Sequence, residues 1–79
     1  MNRTHLETAK LVCLALSRAQ NREITLTQLN VVLHFVGDQP TYTATVGDLQ
    51  TRGGSIGQVL RRLLEQARER LETALKARL

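Results

Sequence analysis

Apolar residues recur at helical spacing in four segments of this chain, and each segment begins with a capping signal. A Ser or Thr followed three residues later by Glu, Gln or Asp can satisfy unpaired N–H groups at a helix start. The four pairs are Thr4 with Glu7, Thr25 with Gln28, Thr45 with Asp48, and Ser55 with Gln58. The pattern therefore predicts an all-α protein of four helices.

The first two predicted helices differ in the width of their apolar surface. Helix one covers residues 5–20, and its apolar stripe is broad enough that we expect a second subunit to pack against it. Helix two begins after Thr25 and ends at Gly37, which suits a left-handed C-terminal cap. A turn and a very short β-strand near residues 41–44 follow, because this stretch is rich in β-formers.

The third and fourth predicted helices form the motif that carries function. Helix three is short, covering residues 46–52, and Gly53 and Gly54 end it. Helix four begins at Ile56 and continues to the end of the chain, with apolar positions in the four-three alternation of a coiled coil. Two helices joined by a short turn that contains glycine form a helix-turn-helix pattern, and no clear wing follows it.

The length of 79 residues allows one domain, with an N-terminal helix (1–22), a central core (24–64) and a C-terminal extension of the last helix (65–79). A chain of this size often needs a disulfide, a metal or a partner subunit to stabilise it, and the single cysteine cannot form an intrachain disulfide. We therefore expect a homodimer. The apolar residues predicted to form its interface are Leu6, Cys13, Leu16, Leu60, Leu64, Ala67 and Leu71.

The N-terminal residues lack the apolar stretch and cleavage site of a signal peptide. The longest apolar run, residues 11–16, is too short to cross a bilayer. A lone cysteine also fits a reducing compartment. We expect a cytoplasmic protein that does not associate with a membrane.

The net charge of +4 lies entirely in residues 51–79, which contain seven basic and three acidic side chains. Such a distribution suits a polyanion-binding face, although a solvated arginine-rich helix explains the charge equally well. In a helix-turn-helix, the start of the second helix enters the major groove, where Gln can read adenine and Arg can read guanine or grip phosphate. The predicted DNA-binding residues are Arg52, Ser55, Gly57, Gln58, Arg61 and Arg62.

The pattern of leucines and caps in residues 24–33, 45–49 and 55–64 resembles the DNA-binding core of the MarR-type winged-helix regulators. The resemblance implies a dimer on a pseudo-palindromic operator, with helix four reading bases through Ser55, Gln58, Arg61 and Arg62. Two features depart from the family pattern: the turn before helix four is about one residue short, and the wing is missing. A wingless miniature of this kind resembles what a phage or plasmid encodes.

The sequence thus predicts a sequence-specific regulator of transcription that binds double-stranded DNA as a homodimer. The alternative is a small helical module that binds and modulates a partner protein through helices one and four, with its arginines serving solubility. Salt separates the two hypotheses, because only phosphate contacts release counterions on binding.

Catalysis and metal chemistry have little support in the sequence. Ser55 has no histidine near it, and His5 and His34 lie on different predicted helices. Cys13 and His34 could form a nucleophile pair, but Cys13 falls in an apolar stripe and is predicted to be a core residue. No two of these side chains have the local spacing of metal ligands. We expect neither an enzyme nor a bound metal or cofactor.

Overall fold

The computed structural model describes residues 2–78, and in it two helices flank a three-stranded antiparallel sheet. The prediction of an all-α fold with four helices is therefore wrong. The sheet has the order β1-β2-β3, and one 3₁₀ turn, Leu26–Gln28, precedes it. In chain order, the elements are α1 (Arg3–Gln20), β1 (Leu29–Val36), β2 (Gln39–Val46), β3 (Leu49–Gly53) and α2 (Ile56–Ala77).

Helix α1 confirms the first predicted helix, but its cap differs from the predicted one. The side chain of Asn2, not that of Thr4, accepts a hydrogen bond from the His5 N–H at 2.8 Å. At the other end, the Ser17 hydroxyl accepts from the Ile24 N–H at 2.9 Å. This bond ties the loop after α1 back onto the helix and helps to bury Ile24.

The second predicted helix is wrong, because its segment forms β1. The predicted cap does form, since Gln28 Oε1 accepts from the Thr25 N–H at 2.7 Å, but only the one 3₁₀ turn follows it. Half of the next eight residues are β-branched or aromatic, and all eight pair with β2. Gly37 is left-handed, with φ of 64°, as the first residue of a hairpin turn and not as a helix cap.

The third predicted helix is also wrong, and with it the helix-turn-helix. Val46 and Leu49 face each other across a second two-residue turn, in which Gly47 has φ of 59°. A glycine at the first position of such a turn matches the twist of the flanking strands. The predicted very short strand at residues 41–44 is the middle of the longer strand β2. Residues 29–53, which were expected to form the two helices before the reading helix, form a β-meander instead.

The hydrophobic core lies between the two helices and one face of the sheet. Alternation along β2 and β3 buries Ala44, Val46, Leu49 and Thr51 on this inner face, while the residues between them are exposed or half-buried. The helices contribute five of the six largest fully buried side chains, which are Val12, Leu16, Val59, Leu60 and Leu63, and β2 contributes Val46.

A cap fixes the start of α2, and two further contacts fix the helix against the sheet. The Ser55 hydroxyl caps the helix by accepting from the Gln58 N–H at 3.1 Å, as the sequence predicts. The buried Thr51 hydroxyl donates to the Val59 carbonyl at 2.8 Å. Arg70 makes a bidentate pair with Asp48, at 2.7 and 3.1 Å, and thereby joins α2 to the turn between β2 and β3.

The hairpin of β1 and β2 extends beyond the helices. The molecule is 48 Å long, whereas a helix of the length of α2 spans about 33 Å. At the base of the hairpin, Leu29 and Val31 pack against the core. Towards the tip, Leu33 and Phe35 are 49% and 67% exposed although they lie on the same face of the strand.

Candidate functional site

The start of α2, which was predicted to read DNA, is tied to neighbouring residues, although Ser55 is exposed and Gly57 and Gln58 are half-buried. Ser55 is occupied as the helix cap, and Gln58 Oε1 accepts from the Gly54 N–H at 2.8 Å. A Cβ atom added to Gly57 would lie 3.3 Å from His5 Nε2, so α1 closely covers this turn. The Ser55 and Gln58 side chains, which were expected to face a base pair, instead hold the loop and the start of α2 together, and Gly57 lies close to α1.

The predicted arginines are exposed, but they do not form one surface. The Arg62 guanidinium donates to the Arg52 carbonyl, which brings these two residues together at the edge of β3. Arg61 directly precedes Arg62 in the helix and is therefore rotated by about 100° from it. The structure thus joins Arg52 with Arg62 and places Arg61 on another side of α2.

The residues predicted to form a dimer interface are mostly used within one chain. Cys13, Leu16, Leu60 and Ala67 are each at most 5% exposed and belong to the chain's own core. Burial also raises the pKa of the Cys13 thiol. These four side chains are not available to a second subunit. The other three, Leu6, Leu64 and Leu71, are exposed or half-buried.

A groove lies between the two helices, and we call it the interhelical groove. It has a volume of about 150 Å³. Its floor is apolar, and an arginine from each helix lies along it. The lining residues are Leu11, Leu14, Ala15 and Arg18 of α1, and Leu64, Arg68 and Leu71 of α2.

Helix geometry explains why these residues meet. Leu11, Leu14 and Arg18 are three and four positions apart, so they form one strip beside the buried stripe of α1. On α2, Leu64, Arg68 and Leu71 have the same spacing. The two helices run in the same direction, because their first turns touch at His5 and Gly57 and their last turns touch through Arg78.

The groove is positively charged. Arg78 donates to the carbonyls of Arg18 and Ala19 at 3.1 and 3.2 Å, which adds a third guanidinium at the end of α1. None of the side chains lining the groove is acidic. The salt bridges within residues 2–78 are Arg3–Glu7, Arg70–Asp48 and Lys76–Glu72, so neither Arg18 nor Arg68 is in one. The groove therefore combines an apolar floor with unneutralised positive charge.

Part of this site can be recognised in the sequence. Helix one is too broadly apolar for a small core, and Leu64 and Leu71 of the last helix are among the residues predicted to form an interface. Leu11, Leu14, Arg18 and Arg68 are not among them, because their convergence depends on how the two helices cross. A different signal was available for the sheet: the tripeptide Val-Gly-Asp occurs at both 36–38 and 46–48, where each copy ends a strand and begins a turn.

Across the part of the chain that the structure describes, no three His, Cys, Asp or Glu side chains converge to hold a metal ion. No helix among the same residues is long and apolar enough to cross a membrane. Comparisons with protein-family models, with curated proteins and with solved structures give no match. The resemblance to MarR-type regulators therefore stays a prediction, and of the segments that carry it, those before residue 54 belong to a β-meander in this structure or to the loop before it.

Proposed function

We propose that this chain is a protein-interaction module whose interhelical groove binds an acidic, amphipathic helix of a partner protein. The observation that carries the proposal is the pairing of exposed leucines with free arginines. Leu11 and Leu14 each remain 46% exposed although they adjoin the core, and Arg18 and Arg68 lie beside them. A partner that covers this surface would remove the exposed leucines from water and could pair with the arginines.

An amphipathic helix suits a groove between two helices. Its apolar face, with side chains at positions i, i+3, i+4 and i+7, can fill the space between Leu11 and Leu14 on one side and Leu64 and Leu71 on the other. Carboxylates that flank this face can pair with guanidinium groups in bidentate geometry, which favours acidic partners over basic ones. Leucine contacts supply affinity and arginines supply selectivity.

A synthetic peptide tests the groove. The probe is a fluorescein-labelled amphipathic helix of 18 residues, the length of α1, with leucines on one face and glutamates along its flanks. We expect fluorescence anisotropy to give micromolar affinity for it, and much weaker binding for a scrambled peptide of the same composition. Equal binding of the two peptides, or of neither, contradicts the proposal.

Variants locate the binding. Arg18→Ala should weaken peptide binding roughly tenfold, which is the effect of losing about 1.4 kcal/mol. Arg22→Ala removes the same charge from an exposed residue outside the groove lining and serves as the matched control, with little change expected. Leu14→Glu should abolish binding of the acidic peptide while circular dichroism shows an intact fold. Equal effects at Arg18 and Arg22 would indicate only a diffuse charge attraction.

A second candidate is the homodimeric, DNA-binding regulator of transcription. Its support is the basic excess in residues 51–79 and the fact that Arg52, Arg61 and Arg62 are exposed and take part in none of the salt bridges within the described chain. Phosphate contacts by these arginines would not need a helix-turn-helix.

Gel shifts with a DNA duplex test this candidate. If Arg52 and Arg62, which lie together, each neutralise a phosphate, log K should fall with log salt at a slope of roughly −2. Arg62→Ala should lower the slope by about 1, whereas Arg22→Ala should not change it. The DNA-binding candidate is excluded if the slope is flat and the Arg62 variant binds like the unmodified chain.

A further inference from the structure

The outer edge of β1 is unprotected. Edge strands of natural sheets are usually guarded by charged residues, prolines or a covering element. Strand β1, Leu29–Val36, carries no Lys, Arg, Asp or Glu, and none of its eight residues is buried. Four large apolar side chains on it are about half exposed or more, namely Val32, Leu33, Phe35 and Val36. The opposite edge, β3, has Arg52 and an arginine of α2 beside it.

The register with β2 shows which backbone groups of β1 are free. Pro40 lies opposite Phe35, and it has no N–H to donate. This pair is therefore a non-hydrogen-bonded one, and hydrogen-bonded pairs alternate with it along the ladder. It follows that Leu29, Val31, Leu33 and Phe35 direct their N–H and C=O groups away from β2. A second β-strand can form hydrogen bonds with every N–H and C=O group in such a row.

We propose that a second copy of this chain adds its own β1 to this edge, antiparallel and two-fold symmetric, with Val32 opposite the partner subunit's Val32. The result is a continuous six-stranded sheet. Residues directly opposite each other in an antiparallel pair lie on the same face. The two-fold axis must therefore pass through a pair of identical residues, and near the middle of β1 these are Val32 or Leu33.

The side-chain pattern selects Val32. With Val32 on the axis, Leu29 faces the partner subunit's Phe35 and Val31 faces the partner subunit's Leu33, so the inner face becomes an apolar ladder. On the outer face, Asn30 lies opposite the partner subunit's His34, and both side chains are polar.

Two-fold symmetry about Leu33 gives a poorer match. It would place His34 opposite the partner subunit's Val32 and Asn30 opposite the partner subunit's Val36. Each of these pairs sets a polar side chain against an apolar one. Only the Val32 register pairs apolar side chains with apolar ones and polar side chains with polar ones throughout.

The absence of charge on β1 also favours a second copy, and the exposed apolar area indicates how weakly it binds. Because β1 has no acidic side chain, lysine or arginine, self-pairing brings no such like charges together. The exposed apolar side chains of β1 offer roughly 300 Å² per subunit, well below the ~800 Å² per partner of a standard stable interface. We therefore expect a dimer that dissociates on dilution in the micromolar range. The proposal does not depend on the interhelical groove, which lies on the helices.

Sedimentation velocity on the full chain tests for the dimer. Between about 1 µM and about 500 µM, the weight-average mass should rise from that of a monomer towards that of a dimer. Leu33→Lys places a charge in the interface and should raise the dissociation constant more than tenfold. Gln50→Lys adds the same charge to the exposed face of β3 and should leave dimerisation unchanged. A monomer at every concentration overturns the proposal, as does an equal effect of the two lysine variants.

Cysteine crosslinking tests the register. Opposed residues of a non-hydrogen-bonded pair have Cα atoms about 4.5 Å apart, within the range of a disulfide. Val32→Cys should form a covalent dimer under mild oxidation, and Leu33→Cys should form far less of it. The unmodified chain controls for Cys13, which is buried and should not crosslink. Preferential crosslinking of Leu33→Cys, or of neither variant, overturns the Val32 register.

Discussion

Gly37 and Gly47 open the two hairpin turns with φ of 64° and 59°, a region that side chains enter only with strain. No atom lies within 4 Å of a Cβ placed on either glycine, so a substitution meets no steric obstacle there. The cost of an alanine at these positions is therefore conformational. Substituting these glycines therefore tests directly whether the two turns of the β-meander form.

Gly47→Ala should lower the free energy of unfolding by about 1 kcal/mol, because the new residue must keep a left-handed backbone. Urea denaturation monitored by circular dichroism measures the loss. Gly54→Ala is the matched control, since Gly54 has no left-handed φ and its added Cβ would approach no atom closer than 4.0 Å. Equal losses in the two variants would contradict the turn between β2 and β3.

Asp48 gives the fold a pH dependence at the residue scale. The hydrogen bonds from Arg70, followed by a backbone hydrogen bond, hold the pKa of this carboxyl below its ordinary value of 3.8. A lowered pKa in the folded state contributes stability that is complete above the ordinary value and is lost as the pH falls through the lowered one. Asp48 therefore stabilises the fold at neutral pH and not in strong acid.

The difference in Tm between the unmodified chain and Asp48→Asn should be largest near neutral pH and should disappear below the ordinary carboxyl range. Thermal unfolding followed across this pH range measures it. Glu7→Gln removes a carboxylate from an exposed i,i+4 pair within α1 and controls for general charge effects. A difference that is the same at every pH would show that the Asp48 carboxylate is not held by Arg70.

The elements differ in how far the sequence determines them. Helices α1 and α2 could be predicted because their helical periodicity is long and, for α2, because Ser55 is an unambiguous cap. The segment 29–36 could not, since it is apolar both at helical spacing and at alternating positions. Its pairing with residues 39–46 makes it a strand and not a helix, and a prediction from the neighbouring residues alone does not include that contact.

The same limit applies to the candidate site. Leu64 and Leu71 could be selected from the pattern of α2 alone. Leu11 and Arg18 become site residues only because α1 runs parallel to α2 and crosses it beside them. Sequence periodicity reports which face of a helix is apolar, but not which neighbour covers it.

The hydrogen bond from Thr51 to the Val59 carbonyl joins two elements, and it tests how β3 docks on α2. Thr51→Val keeps the shape and removes the donor, so we expect a loss of about 1 kcal/mol in unfolding free energy. Thr45→Val makes the same change on the outer face of β2 and should be within about 0.5 kcal/mol of neutral. Equal effects on urea denaturation would show that the buried hydroxyl does not join the elements.

At the scale of the whole molecule, the structure assigns the broad apolar stripe of α1 to two purposes. Its inner part, including Cys13 and Leu16, is covered by the chain's own sheet and by α2. Its outer part, at Leu11 and Leu14, lies along the interhelical groove. A subunit interface through Cys13 and Leu16 would place the same side chains between two chains. In the first arrangement Cys13 and Leu16 stay buried when the protein is diluted, whereas in the second arrangement dilution separates the chains and exposes them.

Cys13 is the chain's single thiol and can report which arrangement exists. It is 5% exposed, and burial raises its pKa, so Ellman's reagent should react with it only when the domain opens. In the Leu33→Lys variant, which removes the proposed β1 contact, the labelling rate should be the same at every protein concentration, because one chain buries the thiol by itself. Unfolding in urea should restore the rate of an exposed thiol. A rate that rises on dilution would place Cys13 between subunits, as the broad stripe alone had suggested.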